Sequence, residues 1–266
     1  AAYVYESKGS LGRFSAYGSL GGGLGSLVAG MMALTGTIFI GLISLYSGVF
    51  IISSMCFLLA FVISLPLSSK NNTHLQVPLF PKTLMRKNWY VYTAFFFRHF
   101  GANAIWVIYP LFILSVGGND FWIGVIYFIN AFSQFVIMQF LGRFSDRRLL
   151  SAGLLLSAVT FIVISLSQSF YWLLPTQLLL GSAWSCLYIG SLVFLMEHNV
   201  EKATSTGILN SVSNLATVLG CLLGGVISQF FGYLATMYTA AILALWGYAI
   251  FKVGVRRAFK LNSRKN

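Results

Sequence analysis

Acidic residues are scarce: the chain has five Asp plus Glu in 266 residues, against 17 Lys plus Arg. Charged residues of all kinds make up 8%, where soluble domains carry about 25%. So little charge excludes a water-exposed globular surface and leaves the bilayer as the solvent. The five acids are Glu6, Asp120, Asp146, Glu197 and Glu201, all at the ends of apolar runs. No paired carboxylates and no His-Glu-x-x-His motif lie at membrane depth, so an intramembrane enzyme has nothing to work with. Cys56, Cys186 and Cys221 sit in apolar runs at no metal-type spacing and read as small buried hydrophobes. The chain opens Ala-Ala-Tyr, without a Met or a basic-then-apolar signal segment, which reads as a cut end.

What is abundant is apolar length. Hydrophobic residues make up 58%, and crossing the hydrocarbon takes about 20 of them in succession. Such windows fall at roughly 11–34, 42–66, 89–114, 121–141, 149–167, 171–196, 207–230 and 234–255, here spans 1 to 8. One such window fits a buried core helix; eight in succession do not. The fold class read from this pattern is all-α, a polytopic membrane protein.

The breaks between spans alternate in charge. Gly117-Gly118-Asn119-Asp120, the stretch from Gln168 to Phe170, and Phe231-Gly232-Tyr233 hold no Lys or Arg. The other connections and the two ends hold 16 of the 17. Positive loops stay cytoplasmic, so both termini of the chain and the 67–88 segment face the cytoplasm. Topology therefore accounts for the net charge of +12, and no nucleic-acid partner is needed. The 67–88 segment, with Ser68, Ser69, Asn71, Asn72, Pro78 and Pro81, is the best domain boundary.

Spans 1 and 7 repeat at an offset of 195: Glu6 pairs with Glu201, Gly12 with Gly207, Gly25 with Gly220 and Gly30 with Gly225. Parallel repeats are a transporter device, with the substrate between the two halves. Span 7 is the fifth helix from Trp89 while span 1 is the first here, so the repeat implies four further spans ahead of Ala1.

The charged knot Gly142-Arg143-Phe144-Ser145-Asp146-Arg147-Arg148, set between two oily spans, carries a Gly-x-x-x-Asp-Arg pattern. With that turn after the second span of the second half, and Gly-rich spans at Gly21 to Gly30 and Gly220 to Gly225, the chain resembles the major facilitator superfamily. The resemblance covers nearly all of it and implies helices 5–12 of a twelve-helix fold. The turn departs from the family pattern in ending Arg148-Leu149-Leu150, and Gly25-Ser26 and Gly220-Cys221 stand where family antiporters often carry Gly-Pro. The implied domains are 1–66, the last two helices of the N-terminal half; 67–88, the inter-half linker; 89–257, the C-terminal half; and 258–266, a basic cytoplasmic tail.

Within the spans, Arg98 is the sharpest signal. It lies nine residues after Trp89, about 13 Å along a helix, where a charge costs roughly 2.5–3.5 kcal/mol on insertion scales. It therefore marks a substrate or ion pathway, and a fixed guanidinium suits an anionic substrate group or an acid in the absent half. His99 and Asn103, Asn130 and Gln134, and Asn210 and Asn214 are i, i+4 pairs that either face the same pathway or make interhelical hydrogen bonds. Spans 2, 5 and 8 lack charged or amide side chains centrally, as the outer helices of the family fold would. Gly21, Gly25, Gly30, Gly220, Gly224 and Gly225 remove bulk for close helix packing.

The resemblance further implies a cytoplasmic gate of Gly142, Arg143, Asp146, Arg147 and Glu197. In it, Asp146 caps the start of span 1, and Arg143 or Arg147 pairs with Glu197. The function implied is a secondary active transporter moving a small solute by alternating access in the cell membrane. The alternative is a non-transporting sensor or scaffold on the same fold. Its partners are then a small-molecule solute, the lipid bilayer and, in an ion-coupled mechanism, a coupling ion. No cofactor or metal is implied.

Overall fold

The computed structural model describes residues 9–35, 45–65, 81–141 and 144–262. Gly142, Arg143, Glu6 and most of the 67–88 segment lie outside them. The described residues are helical with turns between: α1 Leu11–Thr35, α2 Leu45–Ser64, α3 Lys82–Lys87, α4 Trp89–Ser115, α5 Asp120–Met138, α6 Asp146–Ser165, α7 Phe170–His198 and α8 Lys202–Asn262. The all-α polytopic reading holds. Spans 1 and 2 are α1 and α2, spans 3 to 6 are α4 to α7, and spans 7 and 8 are the two arms of α8.

The breaks fall where glycine or an N-cap permits them. Gly117 and Gly232 take φ of +87° and +81°, backbone that only glycine adopts without strain. Gly232 thereby divides α8 into its two arms. Asn119 starts α5 as an N-cap, its Oδ1 accepting from the Trp122 N–H at 3.0 Å.

Five described helical runs are long and apolar enough to cross a membrane: α4, α5, α6, α7 and α8. The glycine and serine of α1 dilute its apolar character. On α2, residues 50–65 are exposed throughout, Phe57 at 75% and Phe50 at 72%. Surface of that kind needs lipid or a neighbouring helix around it.

The three breaks without Lys or Arg gather at one end of the bundle. Phe170 N–H donates to Val116 O at 3.2 Å, and the rings of Phe112 and Tyr233 lie 6.0 Å apart. At the other end Lys87 Nζ donates to His198 O at 2.5 Å, Asn88 Nδ2 to Asn199 Oδ1 at 3.0 Å, and Tyr92 OH to Ser205 O at 3.1 Å. These contacts tie the start of α4 to the end of α7 and to the start of α8.

Between the ends, α4 packs mainly on α8, α1 on α5 and α6 on α7. Lipid is as apolar as leucine, so close packing rather than water exclusion must hold such helices together. One apolar cluster centres on Tyr109, Ile113, Phe161 and Leu173. A second centres on Phe95, Leu154, Leu187 and Phe194, toward the cationic end. The cysteines differ from the expectation of buried hydrophobes: Cys56 is exposed on α2, and Cys186 and Cys221 are partly buried, Cys186 against an apolar cluster and Cys221 beside the Asn103 carbonyl.

Candidate functional site

Glycine sets how closely the helices cross. On α1, a Cβ at Gly30 would stand 3.0 Å from Gly124 Cα, and one at Gly23 would stand 2.8 Å from Ala131 Cβ. Gly12 lies against the Met138 carbonyl in the same way. Gly220 and Gly224 of α8 press on the backbone of α4 at Phe100 and Ala104. Gly21, Gly25 and Gly225 face open space among the described residues. Within the two glycine-rich runs the close crossings thus fall at Gly12, Gly23, Gly30, Gly220 and Gly224, which corrects the expectation for Gly21, Gly25 and Gly225. Helical rotation decides which glycines of a rich run point at a neighbour.

Arg98 is 2% exposed, at the meeting of α4, α6 and α7. Its Nε donates to Ser157 Oγ at 2.7 Å, and that hydroxyl donates to Gly153 O at 2.6 Å. The guanidinium carbon lies 5.6 Å from the Phe161 ring centroid and 5.4 Å from that of Trp184. Two aromatic rings therefore stabilise the cation, and no carboxylate among the described residues pairs with it. Span 5, read as bland and peripheral, supplies its hydrogen-bond partner. A serine in an apolar run carries too weak a signal to show this in advance.

His99 points differently. Its ring stacks on Trp184 at 5.1 Å, and its Nε2 lies 3.4 Å from Thr217 Oγ1. Its Nδ1 is buried without a hydrogen-bond partner. Asn103 Nδ2 donates to the His99 carbonyl at 2.8 Å, so that pair is bonded through the backbone. Asn210 and Asn214 are exposed on α8.

A polar thread crosses three helices and connects to a fourth. Ser19 Oγ of α1 donates to Gln134 Oε1 at 3.0 Å, and Gln134 Nε2 donates to Asn130 Oδ1 at 2.6 Å. Asn130 Nδ2 reaches the Gln177 carbonyl of α7 at 3.5 Å, as does Ser133 Oγ at 3.3 Å. This approach is possible because Gly181 lies directly against Ser133 and Asn130. Gln177 Nε2 then donates to Tyr109 OH of α4 at 2.6 Å. Gln177, fully buried, was missed in the sequence, although an amide inside an apolar span is a signal of the same kind as Asn130.

Where α1 meets α5 and α7, a groove of about 540 Å³ opens, lined by Tyr17, Ser19, Met138, Trp184 and Tyr188 among others. It lies in the half of the bundle nearer the cationic connections. Trp184 and Tyr188 stack at 5.2 Å and 15°. Arg98 lies behind Trp184 and does not line the groove.

At the cationic end, Asp146 is nearly buried and opens α6. Its Oδ1 accepts from the Arg147 N–H at 2.7 Å, and its Oδ2 stands 3.7 Å from His198 Nδ1. Asp146 makes no hydrogen bond to α1, and Arg147 makes no ion pair with Glu197, among the described residues. The expected partners are thus replaced by His198, which the end of α7 places opposite the start of α6. Asp146, Glu197 and His198 could offer donor atoms within 4.8 Å of one another to a cation, although His198 Nδ1 already contacts the Phe194 carbonyl at 2.9 Å.

A bundle of long apolar helices with glycine crossings, a buried arginine and an aromatic groove defines a polytopic membrane protein. The sequence profile of the Major Facilitator Superfamily matches residues 91–265. The chain belongs to that family of membrane transporters. A search of curated proteins returns no match.

Proposed function

We propose that this chain is the eight-helix part of a secondary active transporter, moving a small solute by alternating access between two six-helix halves. On this reading residues 1–66 end the first half, 67–88 connect the halves, 89–257 form the second half and 258–266 are a basic tail. The cationic end faces the cytoplasm at the cell membrane, as positive loops do. Family membership argues against an enzyme.

The observation that carries this reading is the crossing of α1 with α5. The two helices come from different halves and meet at Gly12, Gly23 and Gly30, and a groove of about 540 Å³ opens beside the crossing. Small residues let two helices approach and shift without interlocked side chains. The groove has the size of a small-molecule site and two serine hydroxyls, Ser15 and Ser19, on its lining. Asp146 and His198, bridging α6 and α7 at the cytoplasmic end, are the part of the gate that the described residues support.

The test is solute flux with the protein expressed from its complete reading frame and reconstituted in proteoliposomes. Saturable flux above empty vesicles is expected. Saturable ligand binding with no flux in either direction would favour a sensor or scaffold on the same fold.

A further inference from the structure

The groove between α1, α5 and α7 carries a chemical bias that the family does not specify. Aromatic side chains line it, among them Tyr17 from α1 and Trp184 and Tyr188, which stack on each other, from α7. Its serine hydroxyls are Ser15 and Ser19 of α1, and Ser19 donates to Gln134 of α5, which lies outside the lining. Ser19 donates its one hydroxyl proton to Gln134, which leaves the hydroxyl oxygen able to accept a further bond. Among the described residues, no Lys, Arg, His, Asp or Glu lies on the lining.

The buried charge beside the groove, Arg98, is walled off. Its guanidinium lies 5.4 Å from the Trp184 ring centroid, it is 2% exposed, and its Nε is committed to Ser157. A charged solute entering the groove would lose hydration with no counter-charge to replace it. A wholly apolar solute would leave the Ser19 hydroxyl oxygen without a new partner. A ring with a hydrogen-bonding edge satisfies both surfaces.

Resting on the transporter reading above, we propose that this groove binds an uncharged, ring-bearing solute with hydroxyl or amide groups. The ring packs against Tyr17, Trp184 and Tyr188, its polar edge donates to the Ser19 hydroxyl, and Trp184 separates the solute from Arg98. Anion recognition by Arg98, the expectation from its depth alone, is replaced.

The experiment measures binding to the protein from its complete reading frame in lipid nanodiscs, using benzamide against benzoate and methyl glucoside against glucuronate. The neutral member of at least one pair is expected to bind at least about tenfold tighter than its anion. Trp184→Ala and Ser19→Ala are each expected to weaken that binding by up to about tenfold, with Trp184→Phe retaining most of it. Because Trp184→Ala could disturb packing around Arg98, Ser19→Ala on α1, which does not touch Arg98, is the independent check. Tighter binding of the anions, abolished by Arg98→Gln, overturns the proposal, and so does failure of both neutral members to bind. Flux of an anion in proteoliposomes without neutral binding overturns this site and leaves the transporter reading intact. Neutral binding with no flux keeps the site and removes the transporter reading.

Discussion

Two adjacent glycines on α8 offer a controlled test of how the helices are held. A Cβ at Gly224 would stand 2.7 Å from Ala104 Cα and 2.8 Å from Ala104 C on α4. The first distance is roughly 0.7 Å short of the 3.4 Å at which ordinary contact begins. The obstacle is backbone, which cannot rotate aside, so α4 and α8 must separate locally. Overpacking of this kind costs about 1–3 kcal/mol. At Gly225 a Cβ meets nothing within 4 Å. Both Gly→Ala changes gain the same helix propensity, about 1 kcal/mol, so that gain cancels between them. Gly224→Ala should therefore be less stable than Gly225→Ala by about 1–3 kcal/mol. At about 2–4 °C per kcal/mol for a chain of this size, the two should melt several degrees apart. Thermal unfolding in detergent micelles, followed by size-exclusion chromatography after heating, measures the gap. Coincident melting, or a higher midpoint for Gly224→Ala, would refute the packing account.

Two further outcomes follow from the polar contacts. Ser157→Ala removes the hydrogen-bond partner of Arg98 Nε and should destabilise by about 1.5–3 kcal/mol, the range for bonds to charged groups; adding Arg98→Met should recover part of the loss in the same melting assay. Asp146→Asn weakens a partly exposed pair with His198, so stability should change by less than about 1 kcal/mol. The gate reading predicts instead a shift toward the inward-open state, read by alkylation of a cysteine placed at Ser15; an unchanged alkylation rate would remove Asp146 from the gate.

The bundle was legible because its signals are local in sequence. Apolar runs of bilayer length mark the helices, and Gly117, Gly232 and Asn119 mark their ends by conformational preference and capping. Alternation of Lys and Arg between connections follows from successive crossings, so it needs no tertiary information. The candidate site was legible in part. Asn130 and Gln134 stand out as amides in an oily helix, and they do bond to each other, yet their links to Ser19 and the Gln177 carbonyl depend on which helices touch. Gly21 and Gly25 look no different in sequence from Gly23 and Gly30, since composition carries no helical phase for a run so rich in glycine.

Arg98 separates the two kinds of knowledge most clearly. Its burial at membrane depth follows from its place in span 3, and so does the need for something to stabilise its charge. What stabilises it was decided by packing: a serine on α6 and two aromatic rings, one of them Trp184, which closes the arginine off from the groove beside α1. The charged turn divides in the same way. Its position between two helices is written in the chain, but Asp146 faces His198 because α6 and α7 lie side by side, with the start of one against the end of the other. Sequence determined the helices, their ends and their alternation, because each depends on residues a few places apart. Tertiary structure alone decided which side chains share a site, because helix rotation and neighbour choice are set by contacts between residues far apart in the chain.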